Sequence, residues 1–413
     1  MIQASIITIG DELMIGQVID TNSAWIATEL NKIGIYINRR IAVGDLKESI
    51  IKALDNEIDS SDIILVTGGL GPTSDDITKQ VLAEYFNSKL ITDENVLNDL
   101  KKRYELFKRP LTEINLSQAE VPDKCIVIRN TCGSAPGMLF KKNNKSIISM
   151  PGVPFEMKEM MKVSILPLFK KEFGLPPLQF RTLLTAGIAE SDLAEKIKNF
   201  EDLLPEEIKL AYLPHFGMVR LRLSAPGNFS NKVLDNLFNQ LQNSVVPFLV
   251  INEDISIEEA IGRMLIKNNQ TLSTAESCTG GYLAHKITLI PGSSAFFKGG
   301  LIVYSNEVKQ QLLNVKSSTI EKYGAVSEET VKEMLDGALK RINSDYTIAI
   351  SGIMGPGGGT EDKPIGTVWI GVANKDEIMI KKFFCRYDRE RNIEITSIYA
   401  FNLLRTFINK DSI

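Results

Sequence analysis

The chain has little of what most enzyme centres are built from. Only two histidines, His215 and His285, stand in 413 residues, so a histidine-based triad or a histidine-rich metal site is poorly supplied. The four cysteines, Cys125, Cys132, Cys278 and Cys385, form no CxxC pair. Neither a disulfide framework nor a zinc site is indicated, and the thiols are expected to be reduced. No apolar run approaches membrane length, and Met1 to Ser5 lacks the charged-then-apolar pattern of a leader. A cytoplasmic location with no membrane partner is the expectation. An excess of one charge is missing too: 47 Lys and Arg against 51 Asp and Glu leave a formal charge of -4, which gives no footprint for nucleic acid. The short basic runs Lys101 to Arg103 and Lys170-Lys171 read as solvated helix faces.

What is present is an ordinary globular composition, 44% hydrophobic and 24% charged, over a length that predicts two or three domains. The first segment alternates strand and helix: Ser5 to Gly10 strand-like, Thr21 to Ile33 helical, Ile35 to Val43 extended, Leu46 to Ile58 helical, Asp62 to Thr67 extended. Such alternation predicts an α/β fold with a parallel sheet covered on both faces, and ligands in such sheets bind beyond the carboxyl ends of the strands. Gly10-Asp11-Glu12 follows the first strand and Thr67-Gly68-Gly69-Leu70-Gly71-Pro72-Thr73-Ser74-Asp75-Asp76 the third. Glycines let backbone amides close on phosphate, and carboxylates at the same rim would repel that phosphate unless a divalent cation sat between them. The alternative is that the glycines make a tight turn and Asp75 or Asp76 caps a helix starting near Ile77. Two Pro-Gly turns follow, Ala135-Pro-Gly-Met138 and Met150-Pro151-Gly152-Val153, the second opening a helix through about Phe169.

Pro176-Pro177 marks a change of texture. A strand over Phe180 to Ala186, a helix over Glu190 to Phe200, strands over Lys209 to Pro214 and Val219 to Ala225, and a helix over Lys232 to Val246 predict a small α+β unit. Val219, Leu221 and Leu223 alternate with Arg220 and Arg222, as in a half-buried strand. Val250 to Ile255 reads as a polar linker into a helix over Ile257 to Ile266.

The densest chemistry lies at Thr274-Ala-Glu276-Ser277-Cys278-Thr279-Gly280-Gly281-Tyr282. Leu272 to Ala275 reads as the end of a buried strand, and Leu283, Ile287 and Ile290 recur at helical spacing. Amides at the start of that helix, with no internal partners, can hold a phosphate or a developing oxyanion. Ser277 is either a cap or a nucleophile. Gly299 to Tyr304 predicts another strand, after which Asn306 caps a helix through Leu312. Lys309 in its first turn feels the positive end of the helix dipole, which favours the neutral amine of a general base. A solvated lysine is the alternative. Cys278 is a rival nucleophile without an evident base. Past the strand Tyr346 to Ser351, the loop Gly352 to Thr360 holds five glycines and no GK[ST], so it is no P-loop. A backbone nest for one phosphate fits it, with Arg389 and Arg391 as candidate partners.

These motifs resemble the CinA family. Residues 1 to about 170 resemble its molybdopterin-binding fold, and the unit after Pro177 resembles its small middle domain. That domain is similar in layout to RNA-binding KH modules, but glycines 187, 217 and 227 form no GXXG clamp. Ala275-Glu-Ser-Cys-Thr-Gly-Gly281, Val303-Tyr-Ser-Asn-Glu-Val-Lys309, Gly324-Ala-Val-Ser327 and Ser351 to Thr360 resemble its C-terminal domain over residues 257 to 408. The resemblance implies domains at 1–172, 173–252 and 255–413, a homodimer, and hydrolysis of the carboxamide of nicotinamide mononucleotide by the last domain without a cofactor. It assigns Ser277 as nucleophile, Lys309 as base and Tyr304 as proton-network partner. Thr279, Gly280, Gly281, Gly352, Gly355, Gly357, Gly358, Thr360 and Arg389 are then expected at the substrate. For the first domain it implies a metal-dependent ADP-ribose pyrophosphatase. Gly10, Thr67, Gly68, Gly69, Gly71, Pro151 and Gly152 would lie at the nucleotide, and Asp11, Glu12, Asp75 and Asp76 at a divalent metal ion accompanied by a monovalent cation. A non-catalytic nucleotide-binding adaptor in competence or recombination is the competing expectation. Met354 stands where a small residue is usual in the family.

Overall fold

A computed structural model describes residues 2–73 and 75–410. The chain forms two compact units, one of residues 1–179 with 226–229, the other of the remaining residues from 180 on.

In the first unit β1 (Gln3–Ile9), α1 (Thr21–Asn31), β2 (Tyr36–Val43), α2 (Lys47–Ile58), β3 (Ile63–Thr67) and α3 (Thr78–Tyr85) alternate as the periodicity predicts. They are followed by β4 (Ile126–Ile128), β5 (Gly137–Lys142), β6 (Lys145–Met150) and α4 (Pro154–Met160). The sheet order is β2-β1-β3-β6-β5-β4. β1 pairs in parallel with β2 and β3, and β3 with β6, while the β5 and β4 side is antiparallel. β1 and β3 read as continuous apolar runs because both sheet faces are buried: Ile6 and Leu65 pack under Ile26 and Leu30 of α1, Ile7 and Val66 under Ile50 and Leu54 of α2. α1 starts where Asp20 accepts the Ser23 amide at 2.9 Å. The helix opened by Pro154 continues through a π-turn at Met161–Ile165 into Leu166–Phe173. That turn precedes Pro167, which has no amide to return to the preceding turn.

The second unit opens with a four-stranded antiparallel sheet. Its elements are β7 (Gln179–Ala186), α5 (Glu190–Glu201), β8 (Lys209–His215), β9 (Met218–Ala225), α6 (Asn231–Ser244) and β10 (Leu249–Ile251), in strand order β8-β9-β7-β10. Val219, Leu221 and Leu223 are buried and the intervening arginines are not, as the alternation predicts. Val250 and Ile251 of the expected polar linker belong instead to the strand Leu249–Ile251, paired with β7, since all three residues are apolar and a neighbouring edge is open to them. Leu184, Ala186 and Met218 lie in the same buried cluster as Ile257 and Phe401.

That cluster belongs to a five-stranded sheet. α7 (Ile257–Lys267), β11 (Leu272–Glu276), α8 (Tyr282–Thr288), β12 (Phe297–Ile302), α9 (Asn306–Leu313), α10 (Glu328–Ile342), β13 (Tyr346–Gly352), β14 (Thr367–Ala373), β15 (Ile378–Phe384) and α11 (Arg389–Lys410) follow one another. The strand order is β12-β11-β13-β14-β15, with β11 parallel to both neighbours and β14 and β15 antiparallel. Val331, Met334, Leu335 and Ala338 of α10 cover one face, Ile261 and Leu265 of α7 with Phe401 and Leu404 of α11 the other. The carboxyl ends of β11, β12 and β13 therefore carry Ser277, Tyr304 and Gly352 to one rim.

Candidate active sites

At the rim of the second unit a cavity of about 300 Å³ is lined by Ser277, Cys278, Tyr304, Asn306, Lys309, Ser351, Gly352, Met354, Gly355, Gly357, Gly358 and Arg389 among others. The backbone amide of Ser277 donates to the Ile350 carbonyl at 3.0 Å. The nucleophile candidate thus begins where β11 still rests on β13. Lys309 is only 1% exposed, and its Nζ donates to the Tyr304 carbonyl at 3.1 Å. Burial holds its pKa below the ordinary lysine value, partly opposed by Cys278 and Glu307. The expected cause, the helix dipole, is replaced by desolvation, because the side chain turns inward. Asn306 is not the cap of α9. Ser305 takes that role and accepts the Val308 amide at 3.3 Å, leaving Asn306 at the cavity wall.

Tyr304 is 61% exposed. Its hydroxyl accepts from Arg389 Nη2 at 3.1 Å, and Arg389 Nη1 donates to the Gly355 carbonyl at 2.7 Å. Arg389 thereby joins the tyrosine to the glycine loop. Asn392 donates to the Met354 carbonyl at 3.1 Å and fixes the loop to the start of α11. The buried Cys278 thiol has its pKa pushed up, chiefly by burial, so it stays protonated at neutral pH.

The amides expected to face a ligand at α8 are already occupied. The Glu276 carboxylate, 1% exposed, accepts Gly281 N at 3.0 Å, Leu283 N at 3.0 Å, Ala284 N at 2.8 Å and the Thr279 hydroxyl at 2.7 Å. Thr279, Gly280 and Gly281 consequently lie outside the cavity lining. So does Thr360, whose hydroxyl accepts the Lys363 amide at 3.1 Å. Arg391 is also outside it, 3.6 Å from Asp388. Among the described residues the amides of Cys278, Thr279, Gly355, Gly357 and Gly358 donate to no protein oxygen.

The first unit has a cavity of about 420 Å³ at the carboxyl ends of β1, β3 and β6, lined in part by Gly10, Glu12, Asp45, Gly68, Gly69, Gly71, Asp75, Asp76, Pro151, Gly152 and Glu156. Gly68 has φ +115°, and a Cβ there would overlap the Ile9 carbonyl oxygen. A Cβ on Gly152 would lie 3.3 Å from the Gly68 Cα, so two loops meet there backbone to backbone. Thr67 supports the wall from behind, its hydroxyl donating to the Pro151 carbonyl at 2.9 Å. Asp11 is turned away from the cavity. Its carboxylate accepts the Asp45 amide at 3.1 Å while its own amide donates to Asp45 at 2.9 Å. Burial raises the Asp45 pKa, the Asp11 amide opposes this, and the charges of Asp11, Glu12 and Asp75 add to the rise. Neither Asp75 nor Asp76 caps α3, whose start at Ile77 has no side-chain cap. Asp76 instead accepts the amide and hydroxyl of Thr73. Ser74 lies outside the described residues.

Asp45 and Glu156 stand outside the two acidic, glycine-rich motifs that follow β1 and β3. The signal available for Glu156 was its place two residues after Val-Pro in the helix-opening turn. Asn130 donates to it at 2.7 Å. Among the described residues the cavity lining holds five carboxylates, Glu12, Asp45, Asp75, Asp76 and Glu156, and no Lys or Arg. Among the described residues no three His, Cys, Asp or Glu side chains converge as a ready-made metal cage.

Folds and sites together define a multidomain α/β protein with a hydroxyl-and-lysine cavity in one unit and an acidic, glycine-walled cavity in the other. Three family models match it: the probable molybdopterin binding domain over residues 5–171, the damage-inducible protein CinA KH domain over 180–249, and the CinA C-terminal domain over 254–408. A CinA-like protein of Cytophaga hutchinsonii is 42% identical over 98% of this chain and 97% of its own. A putative competence-damage inducible protein of Clostridium beijerinckii is 39% identical over 99% of this chain and 100% of its own. The crystal structure of competence damage-inducible protein A from Klebsiella pneumoniae is 35% identical, covering 36% of this chain and 92% of that one, with a TM-score of 0.35. The chain belongs to the CinA family.

Proposed function

We propose that the cavity of the second unit hydrolyses the carboxamide of nicotinamide mononucleotide to the carboxylate, releasing ammonia. The observation carrying this is a buried lysine with a depressed pKa lining the same cavity as a strand-end serine. Neutral Lys309 takes the Ser277 proton as Oγ attacks the carboxamide carbon. The amide of Cys278, at the cavity wall, is the donor left for the developing oxyanion. The lysine then returns its proton to the departing ammonia, leaving an ester on Ser277. Water, deprotonated by Lys309, attacks that ester; the acyl–Oγ bond breaks, the lysine returns the proton to the departing Ser277 Oγ, and the carboxylate is freed. Tyr304 and Arg389 complete the proton and charge network, and Arg389 with the free amides of Gly355, Gly357 and Gly358 holds the phosphate. Incubation with nicotinamide mononucleotide, with products identified by mass, tests it. Binding without ammonia release would favour the adaptor instead.

For the first unit we propose metal-dependent hydrolysis of the diphosphate of ADP-ribose. The five carboxylates without a basic partner support it, since a cation shared with substrate phosphates needs only one or two protein carboxylates. One or two of Glu12, Asp45, Asp75, Asp76 and Glu156 would hold a divalent ion together with the substrate phosphates, and the ion when bound would polarise phosphoryl oxygens. Gly68, Gly69 and Gly71 admit the diphosphate backbone-close. The chain is proposed to work as a homodimer, to be measured by light scattering.

A further inference from the structure

We infer that Glu276 is the positioning residue of the nucleophile turn. Resting on the serine-amidase reading above, it sets where Ser277 sits and which end of the substrate can face it. Glu276 is the last residue of β11 and the immediate neighbour of Ser277. Its carboxylate gathers three backbone amides and one hydroxyl from the next eight residues, at 2.7 to 3.0 Å. A second hydroxyl, that of Thr274, donates at 3.3 Å. Its main chain is held as well: the carbonyl accepts the Val303 amide at 2.8 Å, in register with both flanking strands. Ser277 is thus gripped on its N-terminal side by the sheet. On its C-terminal side it is gripped by a turn folded around its neighbour's side chain.

A buried carboxylate with several donors aimed at it satisfies those amides within the chain and leaves none of them for a ligand. Its side chain occupies the place where an α/β protein would otherwise receive a phosphate. Two consequences follow. The amide left for an oxyanion is the one nearest Ser277 in the cavity wall, at Cys278. A substrate phosphate is excluded from the α8 end and directed to Arg389 and the amides of the Gly352 to Thr360 loop, so that its carboxamide end meets Ser277. Glu276 acts through the turn and touches no substrate atom.

The test uses the full chain with nicotinamide mononucleotide. Glu276→Gln puts an NH₂ group where amides already donate, and Thr279→Ala removes one bond from the same knot without threatening the core. A shift of the serine by ~1 Å costs about 100-fold. Expected results are a kcat loss of about tenfold or more for Glu276→Gln with KM within about twofold, partial recovery in Glu276→Asp, and a few-fold kcat loss for Thr279→Ala. Hydrogen exchange at the amides of Gly281, Leu283 and Ala284 should quicken in Glu276→Gln. Unchanged kcat per folded molecule in Glu276→Gln or Thr279→Ala overturns the assignment, and so does a raised KM at constant kcat. If Glu276→Gln does not fold, Thr279→Ala decides alone. Wild type and Ser277→Ala run alongside: an inactive wild type, or an active Ser277→Ala, removes the amidase reading itself. An inert Glu276 beside a dead Ser277→Ala removes only this inference.

Discussion

At the scale of single residues, the proposed deamidation turns on whether Lys309 is charged at working pH. Its folded pKa lies below that of the unfolded chain because burial disfavours the ammonium. Between the two values the unfolded state binds more protons, so this group's contribution to stability rises with pH and is least favourable below the folded pKa. The rate of ammonia release should rise with pH through that same depressed value, below the ~10.4 of a free lysine. Lys309→Met should remove this limb and most of the rate, while raising thermal stability at low pH. A pH–rate profile beside melting curves checks both. Ser277→Ala should abolish turnover with the melting temperature nearly unchanged. Cys278→Ala should keep turnover within a few-fold, because a thiol whose pKa is driven up by burial supplies little thiolate; loss of activity comparable to Ser277→Ala would make the thiol the nucleophile. Ser277, Tyr304, Lys309 and Arg389 were legible because each follows a strand or opens a helix, and strand ends of an α/β sheet gather at one rim. The work of Glu276 was not legible, since a capping carboxylate and a solvated one look alike until the chain closes around it.

At the scale of elements, strands and helices were readable wherever both faces or one stripe are buried, as in β1, β3 and α10. The misreadings lie where local chemistry had two solutions. Ser305 and Asn306 are both good caps, and the helix begins one residue earlier than the second would allow. Val250 to Ile255 mixes apolar and acidic residues, and its first part is drawn into an open sheet edge. Asp45 was hidden because its role comes from a loop after β2 reaching across to Asp11. The glycine loop after β3 was legible as a ligand wall, and its tightest point is testable. Gly68→Ala places a side chain in a left-handed conformation worth at least ~1 kcal/mol against it, and pushes Cβ into the Ile9 carbonyl. ADP-ribose hydrolysis should fall by an order of magnitude or more, and ammonia release should persist.

At the scale of the whole molecule, each unit has its own buried clusters: Ile6, Leu65 and Phe169 in one, Ile348, Phe401 and Phe407 in the other. The two cavities also differ in electrostatic character. Among the described residues one is lined by five carboxylates without Lys or Arg, the other by a lysine and an arginine without Asp or Glu. A divalent cation has a reason to bind in the first and none in the second, where Lys309 must stay neutral and an adjacent cation would depress its basicity further. Chelation of the intact protein should therefore abolish ADP-ribose hydrolysis and leave ammonia release unaltered, while Ser277→Ala should do the reverse. Asp75→Asn should raise the metal concentration needed for half-maximal ADP-ribose hydrolysis, with no effect on ammonia. Loss of ammonia release on chelation would mean that the deamidation depends on an ion, and the lysine-primed serine would have to be abandoned.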